Sequence, residues 1–405
     1  MGERDIIETR IDINPLNIKP ETLFSLGYRY NNSNRSFMFV SKILGKHSPI
    51  NARELTRQTR SLANIYFGKG QDNVLIHCER KTLVIGFAET AVAMAQSFFD
   101  TLLGDVSFVH STRETPEGAE PLFSFREVHS HAPFHNFFLN DTDLIKNAEE
   151  IILVDDELTS GNTALGVIEK INTLYPGKTF GIASFLDWRS PSELDNFKRL
   201  EDAGISIKCR ALLKGNINLD KVMPPPSCHM PEYKVNKKSQ SKAWKSHHIE
   251  FEKTHAAANP FLKHTGRFGL SRTDRLDLER KLYESAETIK KWLPEGKSLF
   301  LGTGEFLYIP LKLAEYCGSD ISFQSITRTP NLPLREKNYD ISSLDVFPSP
   351  FDPSRNDYLY NLDADSFDNI VLLFERRWSD EELNPLLSVL ESKNPRSCHL
   401  VFFCE

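Results

Sequence analysis

The chain has 405 residues, 40% of them hydrophobic and 26% charged, with a formal net charge of −6. That length predicts two domains and a connector, and the composition is that of an ordinary globular protein. The acidic balance argues against general nucleic-acid binding. The six cysteines are scattered with no C-x-x-C pair, which suits a reducing compartment and gives no zinc signature. The opening Met1-Gly2-Glu3-Arg4-Asp5 is charged, and no run approaches the length of a membrane span. A cytoplasmic protein without a membrane partner is expected.

In chain order, residues 1 to about 35 alternate Ile with Asp and Asn (Ile11-Asp12-Ile13-Asn14) among Pro and Ser, which predicts one edge strand and loops. Lys42, Lys46 and His47 then follow an apolar run. They read either as a solvated strand end or as a basic lip facing a polyanionic ligand. Arg53 to Tyr66 reads as an amphipathic helix. Thr82 to Ala91 is an apolar strand that ends in Gly86 and a small polar turn, Ala88-Glu89-Thr90. A helix follows, with Met94, Phe98 and Leu102 on one face. This places backbone N–H groups at a strand's C-terminal edge, where open α/β sheets bind ligands.

Asp105 to His110 predicts a third strand, ending in Ser111-Thr112-Arg113-Glu114. A long polar stretch with Arg126, His129, His131 and His135 comes next, and loops of that length are lids or disordered. The three histidines are compatible with a metal site or with plain loop residues.

The run Ile151-Ile152-Leu153-Val154-Asp155-Asp156-Glu157-Leu158-Thr159-Ser160-Gly161-Asn162-Thr163 organises this half of the chain. Four apolar β-formers predict a buried strand, and Leu165, Ile168 and Ile171 predict a helix that Pro176-Gly177 ends. A turn at a helix N-terminus presents free N–H groups and the positive end of the dipole, so it suits a phosphate. Two carboxylates beside it would repel that ligand unless they bonded hydroxyls or carried a divalent cation. Ribose hydroxyls next to a 5′-phosphate satisfy both conditions; the competing reading is a strand–turn–helix capped by Asp155, Asp156 and Thr159.

Thr179 to Trp188 is a further buried strand, Ser190-Pro191-Ser192-Glu193 a capping box, and Ile205 to Leu213 closes the sheet. Pro224-Pro225-Pro226 to about Arg267, with Lys234, Lys237, Lys238, Lys242 and Lys245, predicts a flexible basic linker. The C-terminal part opens on a helix (Asp274 to Trp292). Strand-Gly302-Thr303-Gly304-helix follows, a Rossmann-type opening without a third glycine. Further strands are expected at Ile321 to Thr327, which ends in Thr327-Arg328-Thr329-Pro330, within Phe367 to Arg377, and at His399 to Phe403, with a helix capped at Ser379.

The hydrophobic strand, acid pair and Thr159-Ser160-Gly161-Asn162-Thr163 resemble the signature of the type I phosphoribosyltransferases. Phe87-Ala88-Glu89-Thr90-Ala91 resembles a variant loop of an orotate phosphoribosyltransferase-like branch. Glu89 departs there from the usual small or basic residue. Thr327-Arg328-Thr329-Pro330 resembles the Thr-Arg-Ser-Pro tetrapeptide of the TRSP domain, which follows this branch in bacterial tellurium-resistance and stress gene clusters.

The resemblance implies an α/β architecture. A type I phosphoribosyltransferase fold (a parallel sheet with helices on both faces, plus a hood) would occupy residues 1–220. A basic linker at 221–268 and a Rossmann-like α/β TRSP domain at 269–405 would follow. It implies a Mg²⁺-dependent phosphoribosyltransferase, a glycosyltransferase of nucleotide metabolism. Such an enzyme would move the phosphoribosyl group of phosphoribosyl pyrophosphate (PRPP) to a base-like acceptor with release of pyrophosphate. Asp155 and Asp156 would hold the ribose hydroxyls and the metal. Thr159, Ser160, Gly161, Asn162 and Thr163 would wrap the 5′-phosphate. Ala88, Glu89, Thr90, Lys42 and Lys46 would hold the pyrophosphate, with the peptide bond of that loop often strained in the family. Arg113, His129 and His131 would assist catalysis from the loop and hood, and Arg126 would close with them. Asp187, Trp188 and Arg189 would contact the acceptor, unless Trp188 is a core residue with a surface pair beside it. Gly302, Gly304, Thr327, Arg328 and Thr329 would bind an anionic ligand of the C-terminal domain. A homodimer is expected. The alternative is a non-catalytic PRPP- or nucleotide-binding regulator acting through the C-terminal domain.

Overall fold

The computed structural model describes residues 8–30, 36–70, 74–126, 134–218, 230–233, 244–255, 257–258 and 261–404. Its first sheet runs Glu8–Ile13, Ile207–Asn218, Thr179–Asp187, Glu150–Leu158, Thr82–Gly86, Val106–His110. All neighbours are parallel except the first pair. Ile151, Ile152, Leu153 and Val154 are wholly buried in the middle of it. Burying such side chains is worth about 1.5–3 kcal/mol each, which is why this run is a central strand. The N-terminal edge strand Glu8–Ile13 matches the alternating Ile/Asp pattern, with Ile13 left exposed.

Among the parallel strands, the first in sequence (Thr82–Gly86) lies between the second (Val106–His110) and the third (Glu150–Leu158). The strand order therefore reverses between Thr82–Gly86 and Glu150–Leu158. A crevice opens outside the carboxyl ends of strands at such a reversal. The helix Asn162–Leu174 leaves from one side of it and the helix Val92–Asp100 from the other.

A second sheet runs Lys245–His248, Ser397–Phe402, Asn369–Phe374, Ser298–Gly302, Ile321–Ser325, Ile50–Asn51, parallel except at the last pair. Its order reverses between Ser298–Gly302 and Asn369–Phe374. Two of its strands come from outside the C-terminal third. Ile50–Asn51 belongs to the N-terminal half, and Lys245–His248 lies in the stretch expected to be a flexible linker. Farther along that stretch Phe251, Phe261, Leu262, Arg267 and Phe268 are buried. Residues 244–255 and 261–268 are therefore built into the fold, because their apolar side chains fill space that the lysine-rich composition conceals.

One apolar cluster spans both halves, from Leu55, Phe98 and Phe99 to Leu278, Leu313 and Phe403. Polar contacts cross the same seam: Thr56 Oγ1 donates to Glu315 at 3.0 Å, and the Tyr308 hydroxyl meets Asp100. The helix Asp380–Glu391 starts at the expected Ser379 cap, which forms a capping box with Glu382, whereas Arg272–Trp292 starts two residues before the expected Asp274, on a capping box of Ser271 and Asp274. No helix of the described residues is long and apolar enough to cross a membrane.

Candidate active site

The reversal in the first sheet opens on a cavity of about 530 Å³. Asp155 and Asp156 line it where the central strand emerges, both partly exposed at the end of a buried run. Thr159, Ser160, Gly161 and Thr163 line it from the turn that begins helix Asn162–Leu174, with Asn162 as that helix's first residue. The turn is possible because Gly161 is left-handed, at φ 72°. A Cβ there would also sit 2.7 Å from the Phe197 ring. Gly161→Ala is expected to lower stability by about 1–2 kcal/mol, read as a shift in denaturation midpoint. The first N–H groups of this helix have no intrahelical acceptors, and the dipole's positive end points the same way.

Opposite lies the turn after strand Thr82–Gly86, where Ala88 and Glu89 are joined by a cis peptide bond. The Ala88 N–H donates to Ser111 Oγ at 2.9 Å, and Ser111 Oγ stands 2.9 Å from His135 Nδ1. Lys46 lines the cavity and its Nζ donates to Thr90 Oγ1 at 3.0 Å. Burial lowers the Lys46 pKa, while Glu89 and Asp156 work against that and Arg113 and Arg29 with it. His47 is held well below its ordinary pKa by burial and by Lys46. The basic lip is thus one-sided. Lys42 pairs with Asp340 at 2.9 Å and does not line the cavity, whereas Lys46 and His47 do.

The C-terminal domain forms part of the same cavity. Arg328, Thr329, Pro330, Arg355, Asn356 and Tyr358 line it together with the residues above. Thr327 Oγ1 donates to Glu89 Oε1 at 2.7 Å, and Arg328 Nε lies 4.0 Å from Glu89 Oε2. Glu89, out of place in a turn expected to hold an anion, is therefore the group that latches onto the second domain. Arg113 lines the cavity too. Its loop is fixed by Glu305, which accepts the Arg113 backbone N–H at 2.7 Å and the Thr112 hydroxyl at 2.5 Å.

The expected anion site at Gly302 and Gly304 is not part of this cavity. Their loop closes the reversal point of the second sheet, where Glu305 and Glu375 converge and Arg267 is buried between them. Arg267 Nη1 is 2.9 Å from Glu375 Oε1, and Nη2 is 3.5 Å from Glu305 Oε2. The space left beside Glu375 and Thr303 is about 10 Å³. An acidic crevice already filled by a guanidinium does not take an anion. Arg328 and Thr329 line the first domain's cavity instead, and the buried Thr327 bonds Glu89 beside it.

The suggestion that Asp187, Trp188 and Arg189 meet an acceptor is also overturned. Trp188 is 2% exposed and stacks on Phe39 at 4.8 Å, so it is core. Arg189 donates two bonds to Asp187, at 2.8 and 2.7 Å, in a buried fork that leaves neither carboxylate nor guanidinium facing the cavity. His129 and His131 lie outside the described residues. The strands flanking them, Phe123–Arg126 and Phe134–Phe137, pair as a hairpin, on which Arg126 is exposed. Motif reading missed Arg29, Arg355, Asn356 and Tyr358. These come from loops and a hairpin strand with no spacing signature of their own.

The family described as Phosphoribosyl transferase matches residues 23–216. The TRSP domain, described as C-terminal to it, matches residues 264–390. Residues 23–216 belong to a phosphoribosyltransferase family, and residues 264–390 are a TRSP domain. The first of these is a family of pentosyltransferase enzymes. No curated protein matches the chain. Among solved structures, the adenine phosphoribosyltransferase of Rhodothermus marinus is 14% identical, with 48% of this chain and 95% of that one covered and a TM-score of 0.30. That of Trypanosoma brucei, in complex with AMP, pyrophosphate and ribose-5-phosphate, is 12% identical over 55% and 86%, with a TM-score of 0.31. That of Giardia lamblia, with 9-deazaadenine, is 11% identical over 49% and 97%, with a TM-score of 0.30. In this phosphoribosyltransferase, Thr159, Ser160, Gly161 and Thr163 of the turn, the acid pair, and Arg328, Thr329 and Pro330 of the TRSP tetrapeptide all open on one cavity.

Proposed function

We propose that this protein transfers the phosphoribosyl group of PRPP to a base-like acceptor and releases pyrophosphate. The observation that carries the reading is the convergence, on one cavity, of an acid pair, a hydroxyl-lined helix N-terminus and several cations. In the transfer, the bond from C1 of the ribose to the pyrophosphate oxygen breaks, and its electron pair leaves with the oxygen. The acceptor nitrogen's lone pair forms the new bond to C1, and the acceptor's proton goes to solvent.

Thr159 to Thr163 grip the 5′-phosphate and fix the ring, while Asp155 and Asp156 accept hydrogen bonds from the ribose hydroxyls. That positioning removes much of the entropic part of the barrier. As pyrophosphate departs, charge grows on its oxygen, and the Glu89–Thr90 end of the turn, Lys46 and Arg113 are fixed donors toward it. Asp155 and Asp156 offer only oxygen donors. That suits Mg²⁺, which takes one or two carboxylates and completes its shell with water and substrate phosphates. Bound there, the ion would neutralise pyrophosphate charge.

The same reading takes residues 1–220 as the transferase domain, 221–268 as a connector and 269–405 as the second domain. The composition supports a cytoplasmic location, and the family resemblance supports a homodimer and a tellurium-resistance or stress setting. Pyrophosphate release from PRPP and Mg²⁺ is measured with a panel of nucleobases. Acceptor-dependent release is expected. Tight PRPP binding with no release from any acceptor would favour the regulatory reading, which the Glu89–Thr327 latch between the domains supports.

A further inference from the structure

The C-terminal domain presents two guanidinium groups to a cavity whose nucleotide-binding signature lies wholly in the N-terminal domain. We infer that Arg328 and Arg355 bind the pyrophosphate leaving group, so that the second domain completes the active site of the first. This rests on reading the cavity as a PRPP site.

Both arginines line the cavity on the side of the Glu89 turn. Arg328 Nε is buried without a hydrogen-bond partner among the described residues, and so is Arg113 Nε. A buried guanidinium N–H left unpaired is costly, and an anion in the cavity would satisfy it. Arg355 is held from behind. Its Nη1 lies 2.8 Å from Asp357 Oδ1, and that buried carboxylate also accepts the Ser349 hydroxyl at 2.7 Å. The guanidinium is therefore fixed before ligand arrives, which is what charge stabilisation in a developing leaving group requires.

Charge balance points the same way. Four cations, Lys46, Arg113, Arg328 and Arg355, lie about this turn against two buried carboxylates, Glu89, which accepts the Thr327 hydroxyl, and Asp357, which holds Arg355. Such an excess of cations fits a multiply charged anion. A neutral base has no use for it, and the apolar lining that suits one comes from Met38, Phe39 and Leu44. Pyrophosphate leaves carrying the electron pair of the broken bond, so the same arginines hold it more tightly as the reaction proceeds.

The test is calorimetric, on the full chain with Mg²⁺, using pyrophosphate and ribose 5-phosphate as separate probes. Arg328→Gln and Arg355→Gln should each weaken pyrophosphate about tenfold or more and leave ribose 5-phosphate within about twofold. Arg328→Lys should recover part of the pyrophosphate affinity. Unchanged pyrophosphate affinity in both variants overturns the inference, as does equal weakening of both probes, which would mark a general distortion. Absence of ribose 5-phosphate binding by the unaltered chain would instead overturn the underlying PRPP reading.

Discussion

Asp155→Asn combined with Asp156→Asn is expected to slow pyrophosphate release by about 10³-fold or more, in initial rates at PRPP and Mg²⁺ concentrations that saturate the unaltered chain. The two side chains stand in the acidic stretch at the C-terminal end of a strand whose middle is buried, and both line the cavity. Amides of the same shape keep the strand and its packing but lose the charge that the proposed function assigns to holding ribose hydroxyls and a divalent ion. The groups are partly exposed, so stability should stay within about 1 kcal/mol of the unaltered chain. Asp156 also lends charge to the buried Lys46. The loss should therefore exceed that from deleting a single hydrogen bond. Turnover like that of the unaltered protein would remove the assignment.

Arg267→Met is expected to destabilise the chain by about 3–5 kcal/mol, seen as a large fall in denaturation midpoint. Arg267 is wholly buried and serves three carboxylates, Glu114, Glu305 and Glu375. Removing it strands those charges at the seam between the two domains. Burial already raises the Glu375 pKa, with Arg267 pulling it down. A carboxyl with a raised folded-state pKa binds more protons folded than unfolded. Its contribution to stability therefore falls as pH rises through the interval between the two values. Without Arg267 that interval widens upward, so the variant should regain part of the lost stability on going from neutral to mildly acidic pH. A pH-independent deficit would contradict this account of the cluster.

Much of the N-terminal half was legible because its chemistry is local. The run Ile151 to Thr163 carries strand, acids, turn and helix start in consecutive residues, and a period-2 or period-3.6 pattern reveals such elements. The capping boxes at Ser190 and Ser379 were equally local. What stayed hidden depends on contacts between residues far apart in sequence. Glu89 looked anomalous in an anion-binding turn until Thr327, more than two hundred residues away, proved to be its partner. Gly302-Thr303-Gly304 looked like a ligand loop because the sequence does not show Arg267 plugging the crevice beside it. Trp188 and the Asp187–Arg189 pair had the residue types of a base-binding loop, but the Phe24 and Phe39 rings and the buried fork put them in the core. Lysines in the connector masked apolar residues such as Phe251 and Phe261, which tie it into the fold.

The most direct test of the shared site is calorimetric titration of the full chain with PRPP in the presence of Mg²⁺. One site per chain is predicted, abolished by the double Asp155→Asn, Asp156→Asn change and weakened about tenfold by Arg328→Gln. Binding that survives the aspartate changes, or none at millimolar PRPP, would contradict a site built jointly by the two domains.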